Sequence, residues 1–153
     1  MDFDGPVCSV FAGYSAARVA GELVAVLEAA GVVVPVQLGG EPDPLAVLRW
    51  TGKTCPRPVL GATEDALRAA EIKAVRSATP TPFGRDVIVG AGERGMPIAV
   101  VSNNSGPAIR AYANRPWKVG ALAGADAVVT SMRDVAVCVG LRFGGVTPHA
   151  HGG

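Results

Sequence analysis

Two aspartates open the chain, in the run Asp2-Phe3-Asp4-Gly5. On an extended segment, side chains at i and i+2 point to the same side, and a glycine turn after them lets both carboxylates converge on one metal ion and one phosphate. An aspartate nucleophile needs that setting. A divalent cation screens its charge from the phosphate, and the second carboxylate serves as general acid and then general base. An acidic, solvated N-terminus has the same pattern, and taken alone the pattern favours that plainer reading. The second candidate is Ser102, which ends the apolar run Ile98-Ala99-Val100-Val101 and precedes Asn103, Asn104, Ser105 and Gly106. A parallel strand delivers such a residue to the carboxyl edge of its sheet, the ligand side of open α/β folds. Its hydroxyl and the backbone N–H groups after it can hold a phosphoryl oxygen, helped by a helix N-terminus. Residues Ser102 to Ser105 serve equally well as caps for that helix.

The elements that must position these groups alternate in the second half of the chain. Residues 97–102 and 127–131 (AVVTS) are β-branched, apolar and strand-sized, which predicts two buried strands. Helices are predicted over residues 84–95 and 106–112 and around residues 118–124. Residues 1–10 read as a strand end or loop, and 79–83, with two prolines, as a linker. The first half is helical. Residues 15–30 place Val19, Leu23, Val26 and Leu27 on one face, with Ser15 as the cap and Gly31 as the stop. Residues 32–44 read as loop. Asp43 and Pro44 then open a short helix through Trp50, as N-cap and first helical position. A loop is expected over 51–58, followed by a helix over 63–77 capped by Thr63. The pattern predicts an α/β core with a helical insert.

Hydrophobic residues make up 49% of the 153-residue chain and charged residues 18%, a globular composition with enough length for one ordinary core. Lys+Arg 14 against Asp+Glu 13 leaves a net charge of +1, which argues against a nucleic-acid or anionic-membrane partner, since either wants a basic face. A small anionic substrate held by local donors remains compatible. Apolar runs are too short to span a bilayer: residues 32–36 are broken by Pro35 and 97–101 are strand-sized. Asp2 and Asp4 stand where a signal peptide would carry Lys or Arg. Cys8, Cys55 and Cys138 are odd in number and unpaired in spacing, so reduced thiols in the cytoplasm are expected.

Taken together, Asp2-Phe3-Asp4-Gly5-Pro6-Val7 resembles the first motif of the haloacid-dehalogenase-like (HAD) hydrolase superfamily, Asp-x-Asp-Gly-Thr-Leu, with Pro-Val for Thr-Leu. Val100-Val101-Ser102-Asn103-Asn104 resembles its second motif. Residues 15–77 resemble the helical cap between these motifs in phosphoglycolate-phosphatase-like members, and 112–116 with 124–129 resemble the last core segment. The resemblance implies an α/β fold: an incomplete Rossmann-like core of residues 1–14 and 80–153, with a helical cap of 15–79. It implies Mg²⁺-dependent hydrolysis of a small phosphorylated metabolite through an aspartyl-phosphate. Asp2 would be nucleophile and metal ligand. Asp4 would be acid and then base, with its backbone carbonyl as metal ligand, and Ser102 with the Asn103 backbone would bind the phosphate.

The chain departs from that pattern in two places. Only Met1 precedes Asp2, where the family has a hydrophobic strand; a misassigned start or truncated gene would explain this. The third-motif lysine and the acidic fourth motif are not visible either. Lys118 reads as a solvated helix residue, Asp126 as the opening of a strand and Asp134 as a surface residue. One or two acidic ligands hold Mg²⁺ weakly, so impaired turnover is expected. The alternative is a non-catalytic remnant that binds or self-associates through sheet edges left open. Arg49, Lys53 and Arg57 read as surface charges, Trp50 as a core or cap-interface residue, Cys8 as a small buried apolar residue, and His149 and His151 as part of a flexible tail.

Overall fold

Phe3 alternates with its two acidic neighbours as an extended segment requires: Phe3 is fully buried, whereas Asp2 and Asp4 are exposed. The computed structural model in which this is seen describes residues 1–96 and 98–114 and the backbone of 127–129. The stretch around Lys118, the tail with its histidines, Cys138, and Asp126 and Asp134 lie outside the described residues.

After the N-terminal turn, β1 (Cys8–Ser9) leads to α1 (Ala16–Ala29), and the short α2 (Val36–Gly39) lies within the expected loop. Ser15 Oγ accepts from the Arg18 N–H at 3.3 Å. The other end closes as a Schellman motif: Gly31, at φ +76, donates to Glu28 O, and Val32 donates to Leu27 O. Ala20 and Val24 join Val19, Leu23 and Leu27 on the buried face, and Val26 is half-buried.

The next helix, α3 (Pro44–Thr54), starts as expected, with Asp43 accepting from the Leu45 N–H at 2.8 Å. It runs past Trp50, because Thr51 and Thr54 satisfy their hydroxyls on the carbonyls four residues back. The break falls at Cys55, which is extended before Pro56. Helix α4 (Arg57–Ala74) then begins well before Thr63. Pro58 suits the first turn, whose N–H groups need no intrahelical partner. Thr63 is therefore not the cap. It is buried mid-helix and donates to Val59 O at 2.9 Å. Helix α4 also stops at Ala74, short of Ser77.

The expected linker contains β2 (Thr79–Pro80), which pairs antiparallel with β1, Cys8 opposite Pro80 and Ser9 opposite Thr79. The helical excursion thus leaves and returns at one two-residue ladder. Helix α5 (Gly84–Glu93) follows, then β3 (Ala99–Val101), α6 (Gly106–Ala113) and β4 (Ala127–Val129). Strands β3 and β4 pair in parallel, Val100 opposite Val128. On the other side of β3, the Met1 ammonium donates to Ala99 O at 2.6 Å and Met1 O accepts from the Val101 N–H at 2.9 Å. That is the bonding of a parallel ladder. Only Val100 of β3 is fully buried, and Val101 is 36% exposed, so the strand is less enclosed than its apolar run predicted.

Two hydrophobic clusters result. One gathers Phe3, Val10, Ile88, Val100, Ile109 and Tyr112 around the strands; the other gathers Leu23, Leu27, Val47 and Leu67 between α1, α3 and α4. Phe11 and Tyr14 pack against both. Tyr14 also donates its phenol to Glu22 Oε1 at 2.5 Å, beneath the Arg18 guanidinium.

Two outcomes follow from this packing. A Cβ on Gly84 would meet Pro6 O at 2.6 Å, and backbone does not yield easily, so Gly84→Ala is expected to lower stability by about 1–3 kcal/mol in urea denaturation. The bond to Glu22 raises the Tyr14 pKa, because ionised phenol loses its acceptor and faces a carboxylate; the same bond lowers the Glu22 pKa. Glu22→Gln should shift the Tyr14 titration, followed by phenolate absorbance, down toward the ordinary phenol value. The depressed Glu22 pKa contributes stability that is present above its unfolded value and fades as pH falls through the folded value.

Candidate active site

Met1 and β3 run in the same direction, so the residues that follow them leave the sheet at the same edge. Those residues are Asp2 and Ser102, and they line one cleft of about 300 Å³ together with Asp4, Asn103 and Asn104. All four sequence-predicted site residues thus line this cleft. The helical excursion supplies further lining: Ala16 at the start of α1, Asp43, Pro44 and Leu45 at the start of α3, and Leu67 and Glu71 on α4.

Local bonds fix the aspartates. Gly5 takes φ +102, a conformation that favours glycine, and its N–H donates to Cys8 O at 2.7 Å. The turn it makes lets Asp4 Oδ1 accept from the Val10 N–H at 2.9 Å, while Asp2 Oδ1 accepts from the Phe3 N–H at 2.6 Å. Phe3 anchors the pair, edge-to-face on Tyr112 with ring centroids 5.2 Å apart. Among the described residues, the second oxygen of each aspartate makes no hydrogen bond.

Ser102 is engaged on both sides of its hydroxyl. It donates to Asn104 Oδ1 at 3.0 Å and accepts from the Asn104 N–H at 3.1 Å. Asn104 Nδ2 donates in turn to Glu71 Oε1 at 3.3 Å, and the Ser105 N–H donates to Glu71 Oε2 at 2.8 Å. The N-terminus of α6 is therefore capped by a carboxylate from α4 and not by the Ser105 hydroxyl, which makes no cap bond. That carboxylate suits the positive end of the α6 dipole.

Glu71 is the residue that sequence reasoning missed. Its signal was there: Thr63, Leu67, Ala70 and Ala74 form the buried stripe of α4, and Glu71, four residues after Leu67, is the ionisable residue on that face. Asp43 was read only as a cap; it also pairs with Arg49 at 3.0 Å and lines the cleft. Arg49, Lys53 and Arg57 are exposed and lie outside the lining, Trp50 packs on the helical cluster, and Cys8 is fully buried.

Four carboxylates line the cleft, from Asp2, Asp4, Asp43 and Glu71, with no Lys, Arg or His among the described lining residues. Asp43 and Glu71 are committed to internal partners. The donors left for a cation are Asp2 and Asp4, and among the described residues no group of three or more His, Cys, Asp or Glu side chains is arranged for a metal. Two carboxylates fit Mg²⁺, which keeps several waters and takes substrate phosphate as a further ligand, but they fit it weakly. No helix among the described residues is long and apolar enough to cross a membrane.

No family model, curated protein or solved structure matches this chain.

Removing the α4 carboxylate strands Asn104, which is 9% exposed, and the Ser105 N–H. Glu71→Ala should destabilise the fold by about 2 kcal/mol, read from the thermal midpoint. An unchanged midpoint would mean that water replaces the carboxylate at no cost.

Proposed function

We propose that this chain is a HAD-like phosphomonoester hydrolase, Mg²⁺-dependent and slow, acting on a small phosphorylated metabolite. The fold proposed with it is an incomplete Rossmann-like core of residues 1–14 and 80–153 with a helical cap of 15–79. The single observation that carries the reading is the shared cleft: Asp2 and Asp4 from the chain start, and Ser102 and Asn103 from the end of β3, line one space of about 300 Å³.

In this reading the Asp2 carboxylate attacks phosphorus and the alkoxide leaves, protonated by Asp4. Asp4 then takes a proton from water, which attacks the aspartyl-phosphate and releases inorganic phosphate. Ser102 and Asn103 orient the transferring group. The Asp2 carboxylate and the Asp4 backbone carbonyl would hold Mg²⁺, which would supply positive charge that screens the nucleophile from the phosphate and leave the Asp4 carboxyl free to carry the proton. That screening matters here, because a dianion entering among four carboxylates is repelled unless a cation accompanies it.

A second reading has one observation in its favour. The cleft lining includes no cationic side chain among the described residues, as expected of a non-catalytic domain that binds or self-associates.

The test is release of inorganic phosphate from a panel of small phosphate esters. Turnover is expected to be slow, to rise with added Mg²⁺, and to fall to background in Asp2→Asn. No turnover at any Mg²⁺ concentration, or turnover that survives Asp2→Asn, would sink the hydrolase reading.

A further inference from the structure

We propose that Glu71 is a positioning residue that sets the hydrogen-bond polarity of the Ser102 hydroxyl through Asn104; this rests on the reading of Ser102 as a phosphate contact. Glu71 is 3% exposed, and both its oxygens accept, from Asn104 Nδ2 and from the Ser105 N–H. A carboxylate accepts and does not donate. The Asn104 amide beside it therefore turns its NH2 toward Glu71 and leaves its carbonyl toward Ser102. Ser102 gives that carbonyl its one proton and accepts from the Asn104 N–H. A hydroxyl has one proton and two lone pairs, so a single lone pair is left for the cleft. Ser102 thus faces the cleft as an acceptor, so its contact with a phosphate group runs through a proton that the phosphate carries or through a cation or a metal-bound water between them.

Glutamine at position 71 has the same shape and the opposite rule. Its carbonyl keeps the Ser105 N–H, and its NH2 needs an acceptor, so Asn104 turns over: Oδ1 faces position 71 and Nδ2 faces Ser102. Ser102 then accepts twice, and its proton is released to the cleft. One side chain of α4 in this way decides whether the residue after β3 offers a proton or a lone pair to a ligand.

The experiment titrates inorganic phosphate, with Mg²⁺ present, into wild type, Glu71→Gln, Ser102→Ala and the double variant. Glu71→Gln is expected to bind phosphate roughly tenfold tighter, the worth of one hydrogen bond to a charged group. The gain should vanish when Ser102 is alanine. Mere loosening at position 71 would weaken binding instead. Overhauser contacts from the Asn104 side-chain NH2 read the amide whether or not phosphate binds: to the residue-71 side chain in wild type, and to the Ser102 β-protons in Glu71→Gln. Contacts that stay on residue 71 in that variant overturn the relay. Measurable phosphate affinity that Glu71→Gln leaves unchanged also overturns it, while the phosphate reading survives. A turned amide with phosphate bound by no variant supports the relay and overturns the phosphate reading.

Discussion

Burial of Phe3 is the constraint on which the cleft depends. An extended segment has two faces, and a phenyl ring committed to the core leaves its neighbours on the other face. The edge-to-face contact with Tyr112 adds about 0.5–1.5 kcal/mol to the area term. The two Met1 bonds to β3 set the height of the segment against the strand that carries Ser102. One residue of parallel ladder and one buried ring thus define the direction and register of the segment that carries Asp2.

The second organising interaction is the carboxylate of Glu71. A carboxylate that is 3% exposed loses most of its hydration, which costs several kcal/mol unless donors replace the water. Two donors from the segment after β3 do so, and the N-terminus of α6 supplies a favourable field. The bond pattern joins the helical excursion to the strand region through polar groups, beside the apolar contacts of Phe11 and Tyr14, which pack against both clusters. A mismatch in either half would leave a buried charge or a buried amide unsatisfied, so these bonds also define how α4 lies against the loop.

Charge in the cleft follows from the same economy of partners. Asp43 is held by Leu45 and Arg49, and Glu71 by Asn104 and Ser105, so both are spent on architecture. Asp2 and Asp4 keep an oxygen each. The cleft is consequently anionic in sum while only two of its carboxylates are available to a ligand. A cation is the natural first guest, and a phosphate follows only with one.

Local sequence determined the parts of this protein that short-range physics governs. The α1 start at Ser15 and its stop at Gly31, the α3 cap at Asp43, the helix after Ser105, and the exposure of Asp2 and Asp4 around a buried Phe3 are all set within a few residues by caps, prolines and period-two alternation. Where those signals competed, sequence reading failed. Thr63 looked like a cap because threonine caps well, yet it back-bonds inside a helix that prolines had already started; Thr51 and Thr54, in the expected loop, likewise back-bond inside α3. Only the tertiary structure decided that Cys8 and Ser9 meet Thr79 and Pro80, that Met1 runs beside β3, and that Glu71 reaches the N-terminus of α6. Each of those pairings joins residues far apart in the chain, and their energy depends on loop closure and burial that no local window contains. The carboxylate at position 71 was visible as a charge on an apolar face, but the donors that make its burial tolerable come from another element.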